Sequence, residues 1–365
     1  MDRVNPDVID PWLHLMWELG GTDLMLTVDS PPRIRVDGRL QPIEGEAAFT
    51  HDALDDLMHR LIGPELLQAL AAHKDVDFAF SWRNLARLRG NAFRQRGEVA
   101  LALRMIPAAI PSFEELGLPP VATRFADLPR GFVLVTGPTG SGKSTTLASI
   151  IDYINDHREL HVLTVEDPIE YVHEHKKSVV NQREIGLDCD TFERALRSAL
   201  REDPDVLLVG EMRDLESIQI ALTMAETGHL VFATLHTNDT AQALDRIIDV
   251  FPAERRDQIR VQLAACLNGV IAQRLLPRSD CGMVAAFEVL LATPAVRNLL
   301  REGKTNQLRN AMTTGQQEGM LTMETSLARL VQADLISYEA AHAITMHPKE
   351  LARTLDPAFA GVAER

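Results

Sequence analysis

Apolar and polar positions change their spacing near residue 110, which divides the chain into two parts with different predicted folds. In the first part, residues 8–19 have the spacing of an amphipathic helix, and several short stretches alternate as strands do. The predicted strands are 23–28, 33–37, 76–82, 85–93 and 99–105, with helices at 51–61 and 65–73, and Asp37-Gly38 is a hairpin signal. Residues 1–106 are therefore predicted to form a small α+β domain, and the proline-bearing stretch 107–120 to form a linker.

From about residue 121 strands and helices alternate, which is typical of a parallel sheet packed between helices. Short apolar runs predict buried strands at 130–136, 160–166, 205–210 and 229–235, and helices are predicted at 192–202 and 215–226. Residues 121–290 are predicted to be this α/β core. Beyond residue 240 the pattern becomes mostly helical, with predicted helices at 241–249, 253–273, 294–302 and 323–333. Residues 291–365 are predicted to be a helical C-terminal extension.

Composition and charge narrow the function classes. The net charge of −15 has the wrong sign for a general nucleic-acid binder. Cys189, Cys266 and Cys281 have neither a metal-ligand spacing nor a disulfide framework, which is typical of reduced thiols inside a cell. The first residues lack a signal peptide, and no window approaches the roughly 18 uncharged apolar residues of a membrane span. We expect a soluble intracellular protein, and this expectation is compatible with docking on a membrane machine.

Residues 137–144 read Gly-Pro-Thr-Gly-Ser-Gly-Lys-Ser, a complete GxxxxGK[ST] loop. The loop follows a buried strand and precedes a helix, so backbone N–H groups and the positive end of a helix dipole would point at phosphate. Lys143 is predicted to reach the β- and γ-phosphates, and the Ser144 hydroxyl to bind Mg²⁺. The chain is therefore predicted to bind a nucleoside triphosphate. The predicted nucleotide-binding residues are Gly137, Pro138, Thr139, Gly140, Ser141, Gly142, Lys143, Ser144 and Thr145.

Acidic residues at the ends of two other strands are candidate catalytic residues. Hydrolysis of a triphosphate needs a carboxylate that holds Mg²⁺ through water or polarises the attacking water. The apolar run 206–210 ends at Glu211, like a Walker B strand with Glu in place of the usual Asp. The strand that ends at Glu166 opens onto Asp167 and Glu170, at the edge where α/β sheets bind ligands. A solvated acidic turn is the simpler interpretation of this second cluster, and it stays open here.

Two histidines flank the next predicted strand. His236 follows its carboxyl end, beside the expected γ-phosphate, and we interpret it as a residue that senses phosphate or metal. His229 begins the strand, where a functional role and a role in the core or as a solvated cap are equally supported. His236 is therefore a candidate catalytic residue, while the assignment of His229 stays open.

The order of these motifs resembles the secretion-superfamily hexameric ATPases, which drive type IV pili and type II secretion. In that family the four motifs are called Walker A, Asp box, Walker B and His box, and they correspond here to 137–144, 165–170, 203–214 and 227–238. The resemblance covers nearly the whole chain. Segments 22–24, 34–38, 93–97 and 110–118 also look like the retraction (twitching motility) branch.

A C-terminal segment distinguishes this branch from its relatives. Residues 295–302, Ala-Val-Arg-Asn-Leu-Leu-Arg-Glu, differ only by aliphatic exchanges from a motif of the retraction branch. Assembly and type II secretion members usually carry a four-cysteine zinc site, which three scattered cysteines cannot form. The resemblance raises Arg297, Arg301 and Glu302 from a solvated helical face to a predicted functional surface.

The resemblance implies a PAS-like N-terminal domain and a RecA-like P-loop ATPase domain with a helical C-terminal extension. It also implies a ring-shaped homohexamer that uses ATP and Mg²⁺ and binds no nucleic acid. Its partners would be an inner-membrane pilus platform protein and, as further candidates, other retraction ATPases. Its location would be cytoplasmic, peripheral to the inner face of the cytoplasmic membrane.

Arginines from the N-terminal domain reach the nucleotide in this family. Arg89 and Arg104 match those positions best, with Arg94 and Arg96 as rivals, and a basic strand edge is an equally supported interpretation of them. The chain also departs from the family pattern. Met25 replaces the His of Ser-Asp-Leu-His-Leu, and Gly90 weakens the strand before the linker.

Three alternatives are left open with different weight. A pilus-assembly or type II secretion ATPase shares the chemistry, and the segment 295–302 and the missing zinc site argue against it. An accessory retraction protein that uses nucleotide only as a switch is opposed by the complete set of phosphate-loop and carboxylate residues. A nucleic-acid motor is disfavoured by the net charge and by the lack of a basic strip interleaved with aromatic residues.

Overall fold

The structure is a computed structural model that describes residues 4–36, 38–83, 85–212 and 214–355. Asp37 of the predicted hairpin turn, Arg213 of the Walker B segment, residues 1–3 and the last ten residues of the predicted extension lie outside the described residues. The chain divides into two compact units, residues 1–109 and 110–365. Within the described part of the chain, no helix combines the length and the apolar character that crossing a membrane requires.

In its described residues, the first unit is a six-stranded antiparallel sheet with three α-helices. Its strand order is β3-β2-β1-β6-β5-β4. The strands are β1 Asp23–Thr27, β2 Arg33–Val36, β3 Arg39–Pro42, β4 Asp75–Trp82, β5 Ala86–Gln95 and β6 Glu98–Pro107, and the helices are α1 Asp10–Glu18, α2 His51–Leu61 and α3 Pro64–His73. The short strand β3 was not named from the sequence because its residues are exposed and show no apolar alternation.

Alternation along the strands of this unit separates a core face from an exposed face. Leu88 and Leu103 are fully buried beneath the sheet, as is Leu24 on the neighbouring strand. Since successive side chains point to opposite faces, Arg89 and Arg104 project from the other face, where both are exposed. The polar alternation that predicted the strands therefore also places both arginines on the outer face of this sheet.

The second unit is a seven-stranded sheet surrounded by helices, with the order β13-β12-β7-β11-β10-β8-β9. All neighbours are parallel except β12 and β13. The strands are β7 Gly131–Thr136, β8 His161–Glu166, β9 Val179–Glu184, β10 Val206–Val209, β11 Leu230–Leu235, β12 Leu267–Pro277 and β13 Met283–Leu291. The helices are α4 Val121–Ala126, α5 Lys143–His157, α6 Phe192–Ala199, α7 Leu215–Thr227, α8 Thr240–Asp249, α9 Ala253–Cys266, α10 Pro294–Arg301, α11 Leu308–Thr314, α12 Met323–Gln332, α13 Tyr338–Ile344 and α14 Pro348–Thr354.

Several of these helices begin where a polar side chain caps them. Asp214 accepts a hydrogen bond from Ser217 N–H at 2.7 Å before α7, and Asp239 accepts one from Gln242 N–H at 2.7 Å before α8. Thr293 does the same for Val296 N–H before α10. Each cap satisfies an N–H group that has no partner inside its helix, so these starts are encoded locally.

The predicted helix 253–273 is wrong in its last third, residues 267–273. Helix α9 ends at Cys266, and the chain continues directly as β12, which pairs with β7 on one side and β13 on the other. Val270, Ile271 and Ala272 are completely buried there. A short apolar run has the same local pattern in a buried strand and in a buried helix. The open edge of β7 decided between them, and β13 and β9 are further strands that the sequence pattern did not identify.

The strand order brings four loops to one edge of the second sheet. β7, β11, β10 and β8 are consecutive parallel neighbours, so their carboxyl ends lie side by side. Thr136, at the end of β7, pairs with Leu235 of β11, and Val209 of β10 pairs with both Ala233 and Val165. Open α/β sheets bind ligands at this edge. The phosphate loop, His236, Glu211 and Glu166 all follow these strand ends.

Candidate functional site

The phosphate loop connects β7 to α5 and has a backbone shape that requires glycine. Gly142 has a φ of +85°, and helix α5 begins at the next residue. Gly137 has a φ of +153°, and a Cβ atom there would lie 2.4 Å from Gln273 O and 2.5 Å from Ser141 Oγ. Side chains are excluded at both positions, by strain at Gly142 and also by close packing at Gly137. The loop therefore presents backbone groups at the N-terminus of a 15-residue helix, as phosphate binding requires.

Lys143 is buried against the loop from which it comes. Its Nζ atom donates to Gly137 O at 2.9 Å and to Pro138 O at 3.0 Å. Burial lowers the pKa of Lys143, and the carboxylates of Glu211 and Glu170 oppose this shift. The loop carbonyls that bind this ammonium group carry no full negative charge. A bound triphosphate would supply that charge and would offset the effect of burial. The position fits the role predicted for Lys143.

Gln273 holds the phosphate loop from the neighbouring strand, and the sequence interpretation missed it. Its Nε2 atom donates to Ser141 O at 2.6 Å, and its Oε1 atom accepts from Thr146 Oγ1 at 2.8 Å. The side chain is 3% exposed, so both bonds lie in the interior. The signal was a single amide in a buried apolar run, and it was lost because this run was predicted to be helical.

His236 lies between the phosphate loop and the Walker B carboxylate. Its Nδ1 atom is 3.3 Å from Lys143 Nζ, and its Nε2 atom is 3.2 Å from Glu211 Oε1. The loop that carries it is held to the end of β7, because Thr136 Oγ1 accepts from Thr237 N–H at 3.1 Å and lies 3.0 Å from Thr237 O. The structure therefore brings together three of the residues predicted from separate motifs.

Glu166 ends β8 and faces a cavity that it shares with the start of α5. The lining of this cavity includes Ser144, Glu166, Tyr171, His173 and Gly210. Burial raises the pKa of Glu166 to about 7, and hydrogen bonds from Thr164 and Gln182 oppose the shift. A carboxylate with a pKa near neutrality can accept a proton from water at physiological pH. Glu166 is thus a partly buried acid beside the phosphate loop rather than a solvated turn residue.

The side-chain oxygen atoms at the carboxyl edge of the second sheet are suitable ligands for a divalent cation such as Mg²⁺, which also binds phosphate. Ser144 is exposed at the first turn of α5, and Thr145 Oγ1 lies 3.1 Å from the Tyr171 hydroxyl. Glu211 follows β10, which β11 separates from β7 in the sheet. No group of three or more His, Cys, Asp or Glu side chains in the described ranges is arranged as a complete metal site. Mg²⁺ typically binds one or two protein oxygens together with substrate phosphates and water, so the donor set is suitable for it.

His229 lies at the other end of β11 from His236. Its Nδ1 atom is 2.9 Å from Met224 O and 3.3 Å from Thr227 Oγ1, both at the end of α7. These contacts attach the ring to the C-terminus of a helix, where carbonyl groups lack helical partners. The structure does not bring His229 to the phosphate loop.

The candidate arginine fingers are direct neighbours in the first unit. Arg89 of β5 is paired with Arg104 of β6, and Arg104 is paired with Asp23 of β1. Arg104 Nε lies 3.0 Å from Asp23 Oδ1, while Asp23 Oδ2 lies 3.3 Å from Arg35 Nε. Arg89 is exposed and has no such ion pair among the described residues. Asp23 thus holds the guanidinium group of Arg104, whereas that of Arg89 is exposed and available to bind phosphate.

The rival candidates belong to the hairpin between β5 and β6. Arg94 donates through one of its guanidinium nitrogens to Gly97 O at 3.1 Å, across the turn. Arg96 has a φ of +50° at the turn itself, and both side chains are exposed. They are therefore farther along the hairpin than the Arg89–Arg104 pair.

The face predicted at 295–302 is divided between a structural and an exposed part. Arg297 donates through Nε to Ala292 O at 2.9 Å and through a terminal nitrogen to Ala265 O at 2.9 Å and to Ala264 O. This guanidinium therefore holds the end of α9, a contact that the sequence pattern did not indicate. Arg301 is exposed at the end of α10. Glu302 is exposed beyond α10 and lies 2.7 Å from Lys304 Nζ.

A shaped phosphate loop, a lysine, two carboxylates and a histidine at the carboxyl edge of a parallel sheet define a P-loop nucleotide-binding protein. The sequence profile of the family described as "Type II/IV secretion system protein" matches residues 85–356, and the chain belongs to this family. It is 49% identical over 322 residues to the type IV pilus retractation ATPase PilT of Pseudomonas aeruginosa, covering 88% of this chain and 93% of that protein. It is also 49% identical over 311 residues to the twitching motility protein of Neisseria gonorrhoeae, covering 85% of this chain and 83% of that protein.

The fold of this chain is also similar to that of a solved structure of a related protein. The crystal structure of the pilus retraction motor PilT with bound ADP superposes with a TM-score of 0.87 at 47% identity, covering 94% of this chain and 98% of that chain. The predicted fold class, a small N-terminal domain followed by a RecA-like ATPase domain, is confirmed. The predicted resemblance to the retraction branch is confirmed as well, and so is the enzyme class, a P-loop ATPase.

Proposed function

We propose that this chain is the ATPase of a type IV pilus retraction motor. It hydrolyses ATP to ADP and phosphate as a ring-shaped homohexamer and acts on a platform protein at the inner face of the cytoplasmic membrane, with other retraction ATPases as further candidate partners. The observation that carries the proposal is the contact chain from Lys143 through His236 to Glu211 beside the phosphate loop. High identity over most of the chain to a type IV pilus retractation ATPase and to a twitching motility protein supports the direction of the motor.

The residues divide the chemistry between binding and proton transfer. Residues 137–145 hold the phosphates, and Lys143 neutralises charge on the β- and γ-phosphates. Ser144 and, through water, Glu211 would hold Mg²⁺, which would supply further positive charge to the phosphates. Glu166 orients the water whose oxygen attacks the γ-phosphorus and accepts its proton as the bond to the β-phosphate oxygen breaks. His236 holds Glu211 and detects the state of the γ-phosphate.

Arg89 is the better candidate for the arginine that stabilises the transition state. Its guanidinium is exposed, whereas that of Arg104 lies 3.0 Å from Asp23. In a ring, such an arginine would add positive charge at the γ-phosphate only when neighbouring domains approach. We further propose the domain limits 1–106, 121–290 and 291–365, with 107–120 as the linker on which the domains move.

Two measurements on the full chain test this function. The purified protein should hydrolyse ATP in the presence of Mg²⁺, and Lys143→Ala should remove turnover while leaving thermal unfolding and oligomer size unchanged. Cells that carry Lys143→Ala as their only copy should keep surface pili and lose retraction. A protein that binds ATP without hydrolysing it would instead be a nucleotide-controlled switch. Loss of pilus formation rather than retraction would indicate an assembly motor.

A further inference from the structure

Gln182 lies beside Glu166 because of the register of two parallel strands. β8 pairs with β9 so that Thr164 is opposite Gln182. Side chains two residues apart on a strand share a face, so Thr164, Glu166 and Gln182 project together. Thr164 Oγ1 donates to Glu166 Oε1 at 2.6 Å, and Gln182 Nε2 donates to the same oxygen at 3.2 Å. Two side-chain donors therefore hold one oxygen of this carboxylate.

The amide of Gln182 also binds the segment that follows Glu166. Its Nε2 atom donates to Tyr171 O at 2.8 Å, and its Oε1 atom accepts from His173 N–H at 2.8 Å. Both Nε2 hydrogens and the Oε1 oxygen are thus used. A single side chain connects β9, the carboxylate at the end of β8 and the backbone of 171–173.

The connected segment forms one wall of the cavity beside the phosphate loop. Tyr171 and His173 line this cavity together with Ser144 and Glu166. The Tyr171 hydroxyl lies 3.1 Å from Thr145 Oγ1, so the wall is in contact with the first turn of α5. The His173 side chain is 2% exposed, and its Nδ1 atom has no hydrogen-bond partner in the described chain. Polar groups therefore form part of the cavity lining, and Gln182 holds the backbone of two residues in its wall, Tyr171 and His173.

We propose that Gln182 is a positioning residue for ATP hydrolysis, which holds the Glu166 carboxylate and the 171–173 wall in the arrangement that orients the attacking water beside Ser144. The inference rests on the proposed role of Glu166. Gln182 itself touches neither the phosphates nor the attacking water, and it acts through the groups that it binds. Its loss should slow the chemical step and leave nucleotide binding largely intact, since the phosphate loop is held separately by Gln273.

The test compares two substitutions at Gln182 with a neighbour on the same strand. Gln182→Met keeps the length of the side chain and removes all three hydrogen bonds. We expect kcat of the purified full chain to fall by about 10- to 100-fold, as for misplacement of a catalytic group, with KM and the Kd for ATP within about twofold. Gln182→Glu keeps the shape and the acceptor for His173 N–H but removes both donors, so it should be equally slow. Asn181→Met changes an exposed neighbour and should leave kcat unchanged.

A double-mutant cycle with Glu166→Gln separates positioning from general destabilisation. Gln182→Met should have little further effect in the Glu166→Gln background, measured as single-turnover hydrolysis, because the group that it positions is already inactive. Wild-type kcat in both Gln182 variants, or the same loss in both backgrounds, would overturn the proposal. If Glu166→Gln itself hydrolysed ATP normally, the proposed role of Glu166 would fail instead. A slow Glu166→Gln with normal Gln182 variants would reject the positioning role alone.

Discussion

His236 Nε2 lies 3.2 Å from Glu211 Oε1, and the opposite ring nitrogen lies 3.3 Å from Lys143 Nζ. The three side chains meet because β11, which carries the histidine, is inserted between β7 and β10. If Nδ1 accepts from the ammonium group, the ring proton must be on Nε2, where it can be donated to the carboxylate. The imidazole thus connects Lys143 of the phosphate loop with Glu211, which follows β10.

Removal of this connection should affect turnover more than binding. We expect His236→Ala to lower kcat by about 100-fold, the lower end of the range that general acid–base groups contribute, with nucleotide affinity within a few-fold. The matched control is His229→Ala, at the other end of the same strand, which should keep turnover because its ring bonds only to the end of α7 among the described residues. Steady-state hydrolysis and fluorescent-nucleotide binding measure the two effects. An equal loss of kcat in both variants would contradict the assignment.

Hydrolysis should depend on pH through Glu166. Burial raises the pKa of this carboxyl to about 7, so it is protonated below that pH and ionised above it. Only the ionised form can accept a proton from water, so kcat should rise from pH 6 to pH 8 and reach a plateau, with about one-tenth of the plateau value at pH 6.

The same shift has the opposite effect on stability. Because the folded state holds this proton more tightly than the unfolded state, the contribution of Glu166 to stability is present at low pH and is lost as pH rises from about 4.5 to about 7. The free energy of unfolding of Glu166→Gln, measured with denaturant, should lack this decrease between about pH 4.5 and pH 7.

The kinetic result tests the proposed role of Glu166 as a base. A kcat that does not change between pH 6 and pH 8 would contradict that role.

The two paired arginines should differ in their importance. We expect Arg89→Ala to lower kcat by about 10³-fold, the scale of a lost arginine finger, with oligomer size unchanged. Arg104→Ala should have a smaller effect because Asp23 already holds that guanidinium. Arg94→Ala should leave the rate unchanged, since its side chain bonds to Gly97 O in its own turn. Normal rates in Arg89→Ala, Arg104→Ala and the double variant would shift the role to Arg94 or Arg96.

The segment 295–302 should separate motor output from hydrolysis. We expect Arg301→Ala, with or without Glu302→Ala, to keep ATP turnover within about twofold and to eliminate pilus retraction in cells, because these exposed residues lie away from the phosphate loop in sequence and contact. Arg297→Ala should behave differently. It removes the hydrogen bonds to three backbone carbonyls, two of them in partly buried contacts, so its thermal unfolding should shift downward.

The outcome in cells decides between coupling and catalysis for this segment. Retraction at the wild-type level in the Arg301 and Glu302 variants would remove the exposed part from the mechanism. Loss of hydrolysis with the oligomer intact would place the segment in the catalytic cycle. A normal unfolding temperature for Arg297→Ala would show that its contacts to α9 are not structural.

The placement of much of the candidate site was predictable because the patterns that indicate it are local in sequence. The GxxxxGK[ST] loop specifies a left-handed turn, a helix start and a lysine within eight residues. Glu211, Glu166 and His236 each follow a recognisable apolar strand, and parallel strands align their ends. The caps at Asp214, Asp239 and Thr293 are equally local. Such features depend only on residues that are close together in the sequence, so a local pattern is enough to predict them.

Only the tertiary structure shows which residues from distant strands contact the candidate site. Residues 267–273 became a strand because β7 had an edge to pair, although their apolar pattern suits a helix equally well. Gln273 reaches Ser141 from 132 residues away, and Gln182 reaches Glu166 only in one register of β8 and β9. Arg89 and Arg104 differ through Asp23, which belongs to a third strand. These relationships depend on how distant strands pair, and no spacing within a single segment encodes that pairing.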